Sequence, residues 1–281
     1  MSTEPRPLDG VRVVNLAVNV PGPVAARRLG QLGARVVKIE PPGGDPLALY
    51  VQGWYEALVE GVERRVLDLK SPEGALALRA LLAEADVVIT AHRPAALRRL
   101  GLAPEVLAGD FPRLCQVAIT GLPAPRDDEA GHDLTYQAGL GLVEPPHLPR
   151  TLLADLAGAE QAVSAALALL YARERTGRGG VARVSLAEAA ATFAEPLRVG
   201  LTGPGSLLGG GLPEYALYRT ADGWVALAAL EPRFRQRLRE LLGVDAGEGY
   251  AQVFATRCSA EWLALARAHD VPLEIVRETP T

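Results

Sequence analysis

The first clear pattern along the chain is a valine-rich run, "VRVVNLA" at 11–17, closed by Gly10 before it and the turn "VPGP" after it. A short unbroken apolar run between turn residues predicts a buried strand. "PVAARRLGQLG" then shifts to helix-forming composition and stops at Gly33, and "ARVVKIEPP" returns to a strand ending on paired prolines. Strand, helix and strand within about thirty residues predict a right-handed parallel unit. The alternation continues. "SPEGALALRALLAEA" opens with Ser71 as a helix cap, Pro72 at the first helical position and Glu73 in the first turn. "DVVITAH" predicts the next strand, "PAALRRLGL" a short helix, and "LCQVAITG" a further strand. Up to about residue 125 the pattern is that of an open, mostly parallel α/β sheet of Rossmann-like type.

The alanine-rich stretch 151–176 predicts a long, largely buried helix with basic residues near its end and Gly177 as its cap. "GVARVSLAEAAATFAEPL" predicts a strand and a helix, and "GLTGPGSLLGGGLP" at 200–213 has the glycine and proline density of a linker. Beyond it, "YALYRTADGWVALAAL" has the form of a hairpin turning through "ADG", followed by helical segments at 233–242 and 259–269. The expected organisation is a large domain at 1–199, the linker at 200–213, and a smaller α+β domain at 214–281.

Composition narrows the function classes. The 281 residues are 49% hydrophobic with a formal net charge of −4, which describes an ordinary globular chain and argues against a nucleic-acid partner. Cys115 and Cys258 lie far apart and form no metal-spaced set, so a reducing cytoplasm is the expected location. No stretch approaches the ~20 uninterrupted apolar residues of a bilayer span, and the polar "MSTEPRPLDG" start predicts no signal peptide. His92, His132, His147 and His269 are too dispersed for a local metal motif, so no metal is expected. Glu40 at the end of the second strand invites a dinucleotide reading. The first turn, "NVPGPVAA", lacks G-x-G-x-x-G, however, and neither a P-loop nor G-x-S-x-G occurs.

The stretch "AGHDLTYQAGLG" at 130–141 sets His132 beside Asp133 among glycines. By itself this fits a solvated loop histidine as readily as a base. Asp155 equally fits a helix N-cap, and Glu231-Pro232 the start of a helix.

A wider resemblance bears on all three. "PLDGVRVVNLAVNVPGPVAARRLGQLGARVVKIEPPGGDP" resembles the opening of the family III CoA-transferase and α-methylacyl-CoA racemase superfamily. "LDLKSPEG", "EADVVITAHRPAALRRLGL" and "FPRLCQVAITG" are similar to its next blocks in the same order, from about residue 7 to residue 270. "GHDLTY" and "LLADLAG" resemble the racemase branch, which implies His132 and Asp155 as the acid–base pair. "AALEPRF" is similar to the segment that brings a glutamate, here Glu231, to the same site. The resemblance further implies a homodimer, interlocked, with acyl-CoA as substrate, coenzyme A entering only as part of it, and no permanent cofactor. Lys38 and Arg93 match basic positions for CoA, with Arg64 and Arg65 as weaker candidates. Compared with the racemase pattern, the segment between His132 and Asp155 is short, the family's methionine-rich acyl surface is absent, and the chain stops early.

The chemistry is consistent with that assignment. Exchanging the proton next to a thioester needs one group to remove it and another, opposite, to return one, while the carbonyl accepts the charge as an enolate. Imidazole and carboxylate are both unprotonated bases near neutral pH, and their surroundings can tune each. Asp133 or Glu231 would orient or polarise His132. Backbone N–H groups at the start of the 155–171 helix would face the enolate oxygen. Two alternatives stand beside this reading. One is a family III CoA-transferase with Asp155 as nucleophile; the other is a degenerate relative that binds acyl-CoA without turnover.

Overall fold

The computed structural model describes residues 6–244 and 248–277. The chain divides into two compact units, Met1–Ala194 and Glu195–Thr281. The first unit begins β1 (Arg12–Asn15), α1 (Pro21–Gln31), β2 (Arg35–Glu40), α2 (Pro46–Tyr50), α3 (Gln52–Leu58) and β3 (Glu63–Val66). It continues α4 (Pro72–Ala83), β4 (Val87–Thr90), α5 (Pro94–Arg99), α6 (Pro104–Asp110), β5 (Cys115–Thr120) and α7 (Asp133–Gly139). α8 (Leu153–Thr176), β6 (Val181–Ser185) and α9 (Leu186–Arg198) follow, and the division between units falls inside α9.

All six strands are parallel, in the order β3-β2-β1-β4-β5-β6. The period-two alternation of strand side chains sorts the valines onto two faces. Val13, Val36, Val87, Ile89 and Val117 pack with α1 and α8, whereas Val14, Ile39 and Val88 pack with Leu78, Leu97 and Leu107 of α4, α5 and α6. Helices on both faces explain why the central strands are continuously apolar. α8 is long and apolar enough to meet the length and composition of a bilayer span. Its Ala154, Ala159, Ala162 and Ala166 are nonetheless fully buried in the core shared with α1, β5 and β6. The "VPGP" turn has a packing reason: a Cβ at Gly22 would fall 2.1 Å from the Ala17 Cβ, so only glycine lets α1 start this close to β1.

The sequence pattern missed β3. Its "ERRV" carries three charges on an edge strand, where pairing to β2 needs no apolar alternation. It also missed α2, α3, α6 and α7, which are short segments with too few turns to show a period.

In the second unit, β7 (Tyr215–Arg219), β8 (Trp224–Ala228) and β9 (Leu273–Ile275) form an antiparallel sheet, β7-β8-β9. α10 (Pro232–Leu242), α11 (Glu248–Phe254) and α12 (Ser259–Ala268) belong to the same unit. Its core stacks Tyr218 on Phe254, with Trp262 edge-on to Phe254. The glycine-rich 200–213 segment lies within this unit and is hydrogen-bonded to itself, Leu208 N–H to Leu201 and Gly211 N–H to Ser206.

Candidate active site

Between β1 and β4 the order of parallel strands reverses, and at such a switch point the loops leaving the strand ends diverge into a crevice. A cleft of about 680 Å³ lies there. Val18–Pro21 after β1, Ala91–Arg93 after β4 and Ile119–Gly121 at the end of β5 line it, with Tyr50, Val51 and Trp54 as an apolar wall. His132 and Asp155, separated by a loop and a helix in the chain, line this same cleft.

His132 is exposed and caps α7. The Thr135 hydroxyl accepts the His132 N–H at 3.1 Å and donates to the His132 carbonyl at 2.7 Å, which fixes the backbone that carries the imidazole. Asp155 sits in the first turn of α8. Burial is the larger cause, and the nearby Asp133 charge the smaller, of a carboxyl pushed up from 3.8 to about 7.

Asp133 differs from the expectation that it would polarise His132. Its Oδ1 accepts the N–H groups of Ala154 at 2.8 Å and Asp155 at 3.2 Å, and its Oδ2 accepts the Gln137 amide at 2.6 Å. Leu152, the residue before α8, offers no side-chain cap, so a carboxylate from α7 does the capping. Asp133 therefore holds Asp155 in place and raises its proton affinity. The same bonds occupy two of the N–H groups that the sequence suggested for an enolate oxygen. Glu231 belongs to the second unit, where it is exposed and precedes α10.

The expected CoA cations separate. Arg93 is exposed, lines the cleft, and has no acidic partner among the described residues. Lys38 is 1% exposed. Its ammonium donates to the Ala17 carbonyl at 2.6 Å and pairs with Asp45 at 3.0 Å, while burial, partly offset by Asp45, holds its pKa below the usual lysine value. Lys38 is thus a structural cation, since a group so enclosed has no donor to offer a phosphate. Arg64 pairs with Glu56 and Arg65 with Glu63, and neither lines the cleft.

A second cleft, of about 960 Å³, adjoins the first through Val18 and His92. Its walls are Pro41, Pro42, Leu67, Leu69, Pro72 and Leu100, and Lys70 and Arg99 stand exposed along it without acidic partners among the described residues. Neither cation was selected from the sequence. Lys70 lies inside the quoted "LDLKSPEG" block, but only the fold shows that this loop faces a cavity. His92 lies at the junction, and burial, with the Lys38 charge, lowers its pKa.

A doubly wound α/β domain thus brings an imidazole and a carboxyl of raised pKa to the cleft at its switch point. The chain belongs to CoA-transferase family III, whose sequence profile matches residues 8–280. It is 33% identical to the human alpha-methylacyl-CoA racemase over 91% of this chain and 74% of that protein. It is 32% identical to the succinate–glutarate CoA-transferase of Agrobacterium fabrum, over 85% of this chain and 67% of that one. The crystal structure of the Mycobacterium tuberculosis hypothetical protein Rv3272 superposes with a TM-score of 0.85 at 27% identity, covering 97% of this chain and 86% of that chain. Family members include both racemases and CoA-transferases.

Proposed function

We propose that the protein exchanges the α-proton of an acyl-CoA thioester in the manner of a racemase, between His132 and Asp155. The observation that carries this reading is their placement in one cleft, with the Asp155 carboxyl brought to about 7. A group with that pKa is half protonated at neutral pH and can give or take a proton without a large energetic penalty, the condition for efficient general acid–base catalysis. In one direction His132 removes the α-proton, the electron pair moves onto the thioester oxygen, and protonated Asp155 returns a proton to the opposite face. In the other direction the roles exchange.

The paired clefts suit the rest of the substrate. An apolar cleft with Lys70 and Arg99 at its edge fits an adenine and its phosphates, and the shared wall at Val18 and His92 leads towards the acid–base pair. Arg93 lines the first cleft, next in the chain to His92. The test is NMR detection of deuterium entering the α-position of 2-methylacyl-CoAs in deuterated water. His132→Ala abolishes exchange while CoA binding persists; undiminished exchange in that variant removes His132 from the mechanism.

A second reading, CoA transfer with Asp155 as nucleophile, is favoured by the near-equal identities to a racemase and a transferase. It requires a covalent acyl-aspartyl enzyme that hydroxylamine traps during turnover. Turnover of CoA between acids with no trappable enzyme counts against it.

A further inference from the structure

Tyr136 has no part in the exchange described above, yet its setting is unusual. It is 6% exposed, it lines the cleft, and its hydroxyl makes no hydrogen bond with the described residues. The ring is the buried part: the hydroxyl is not among the enclosed polar atoms and stays open to a hydrogen-bond partner entering the cleft. The ring occupies a slot between two glycines. A Cβ at Gly121 would fall 2.0 Å from the hydroxyl oxygen, and one at Gly131 would fall 2.6 Å from it. Gly121 follows β5 and Gly131 precedes His132, so both leave room for the phenol at the wall of the cleft.

Its electrostatic neighbours place it beside the chemistry. Burial and the Asp155 charge raise its pKa, and Arg93 opposes them more weakly. The phenol is therefore a protonated donor throughout the neutral range. The start of α8 cannot supply the same donor from Ala154 or Asp155, whose N–H groups are held by Asp133.

We propose that the Tyr136 hydroxyl donates a hydrogen bond to the thioester carbonyl oxygen of the bound acyl-CoA and stabilises the enolate, as a third catalytic residue. This rests on the acyl-CoA reading of the site. Tyr136 keeps its proton throughout: the C–H pair moves onto the carbonyl oxygen, the α-proton passes to His132 or Asp155, and no bond to Tyr136 is broken.

Tyr136→Phe in the full chain keeps the ring in its slot and removes only the donor. Its melting temperature stays at the wild-type value, since no protein bond is lost. The kcat for α-deuterium exchange falls about 10²-fold, as for loss of one oxyanion donor, and KM changes by less than about five-fold. Calorimetry supplies a readout independent of turnover, comparing an acyl-CoA with an S-alkyl-CoA thioether that lacks the carbonyl. The wild type favours the thioester by about five-fold, the size of one neutral hydrogen bond, and Tyr136→Phe shows no preference. A wild-type kcat in the variant, or a thioester preference that survives the substitution, overturns the proposal. If the wild type shows no exchange with any acyl-CoA, the racemase reading fails, and the calorimetric comparison alone decides the contact.

Discussion

Asp45 and Asp155 both lie near the C-terminal edge of the parallel sheet and both are withdrawn from water, but they have opposite company. Asp45 is 2% exposed and faces the Lys38 ammonium at 3.0 Å, while its Oδ1 accepts the N–H groups of Asn19 at 2.9 Å and Leu47 at 3.0 Å. Lys38 also reaches the Ala17 carbonyl, so the pair ties β2 to the β1–α1 turn and to α2, elements that wall the two adjoining clefts. Asn19, with φ of 63°, holds a left-handed conformation within that turn. Asp155 has no cation as partner among the described residues and lies near a second carboxylate, Asp133. Burying a carboxylate is tolerable when a cation or a proton neutralises it. The first solution braces a wall; the second leaves a carboxyl that still holds its proton close to neutral pH.

The sharpest way to break that comparison is Asp155→Asn. Exchange should fall by about 10²–10⁴-fold, the contribution of one positioned acid–base group, as read by deuterium incorporation. Stability should move the other way. The folded-state pKa of Asp155 is about 7 against an ordinary 3.8, so between those values the folded protein binds more protons than the unfolded chain. The stability this group contributes is therefore complete below about pH 4 and is lost as pH rises through about 7. Asp155→Asn escapes that loss, and denaturant melts at pH 8.5 should show a gain on the order of a few kcal/mol that vanishes near pH 4. Equal stability of both proteins at pH 8.5 would mean that Asp155 is not strained by burial.

Lys38→Met tests the other carboxylate. It leaves Asp45 buried without its cation and should cost about 3–5 kcal/mol, read as a lower denaturation midpoint. A loss below about 1 kcal/mol, the value of an exposed pair, would show that the ion pair does not brace the wall. Asp133→Asn is a smaller change, because the amide oxygen can still accept from the start of α8. It removes the like charge from Asp155, so the pH–rate limb assigned to Asp155 should move to lower pH by up to about one unit, within the range of a neighbouring-charge effect. An unmoved limb would leave burial as the sole cause. Smallest of all, Lys70→Ala and Arg99→Ala should each weaken CoA binding by a few-fold and more at low salt, as solvent-exposed charges do. Calorimetry in two salt concentrations checks this, and unaltered affinity in both variants would move the phosphates elsewhere.

The parts of the site differ in how far they could be read from residues alone. The strands β1, β2, β4 and β5, the long helix α8 and the parallel arrangement follow from apolar runs and caps that act over a few neighbouring residues. His132 and Asp155 were legible through the "GHDLTY" and "LLADLAG" blocks, and the cleft does bring them together. From the sequence Lys38 reads as a ligand cation because it matches a basic family position at a strand end, whereas the partner that encloses it, Asp45, comes from the "GGDP" loop. Asp133 was read with its chain neighbour His132, yet its bonds run to residues more than twenty positions away. Tyr136 gave no signal, since an aromatic in a helix turn is ordinarily core, and only the converging glycines reveal its slot.

The order of residues determined the α/β class and the alternation of elements, because periodicity, turn chemistry and residue type are local properties. The tertiary structure decided which charges are buried and with whom: Lys38 with Asp45, Asp155 against Asp133, and Tyr136 with no hydrogen-bond partner among the described residues. Proton affinity and ligand access depend on desolvation and on charges a few ångströms away in space, and those distances exist only once segments far apart in the chain have packed together.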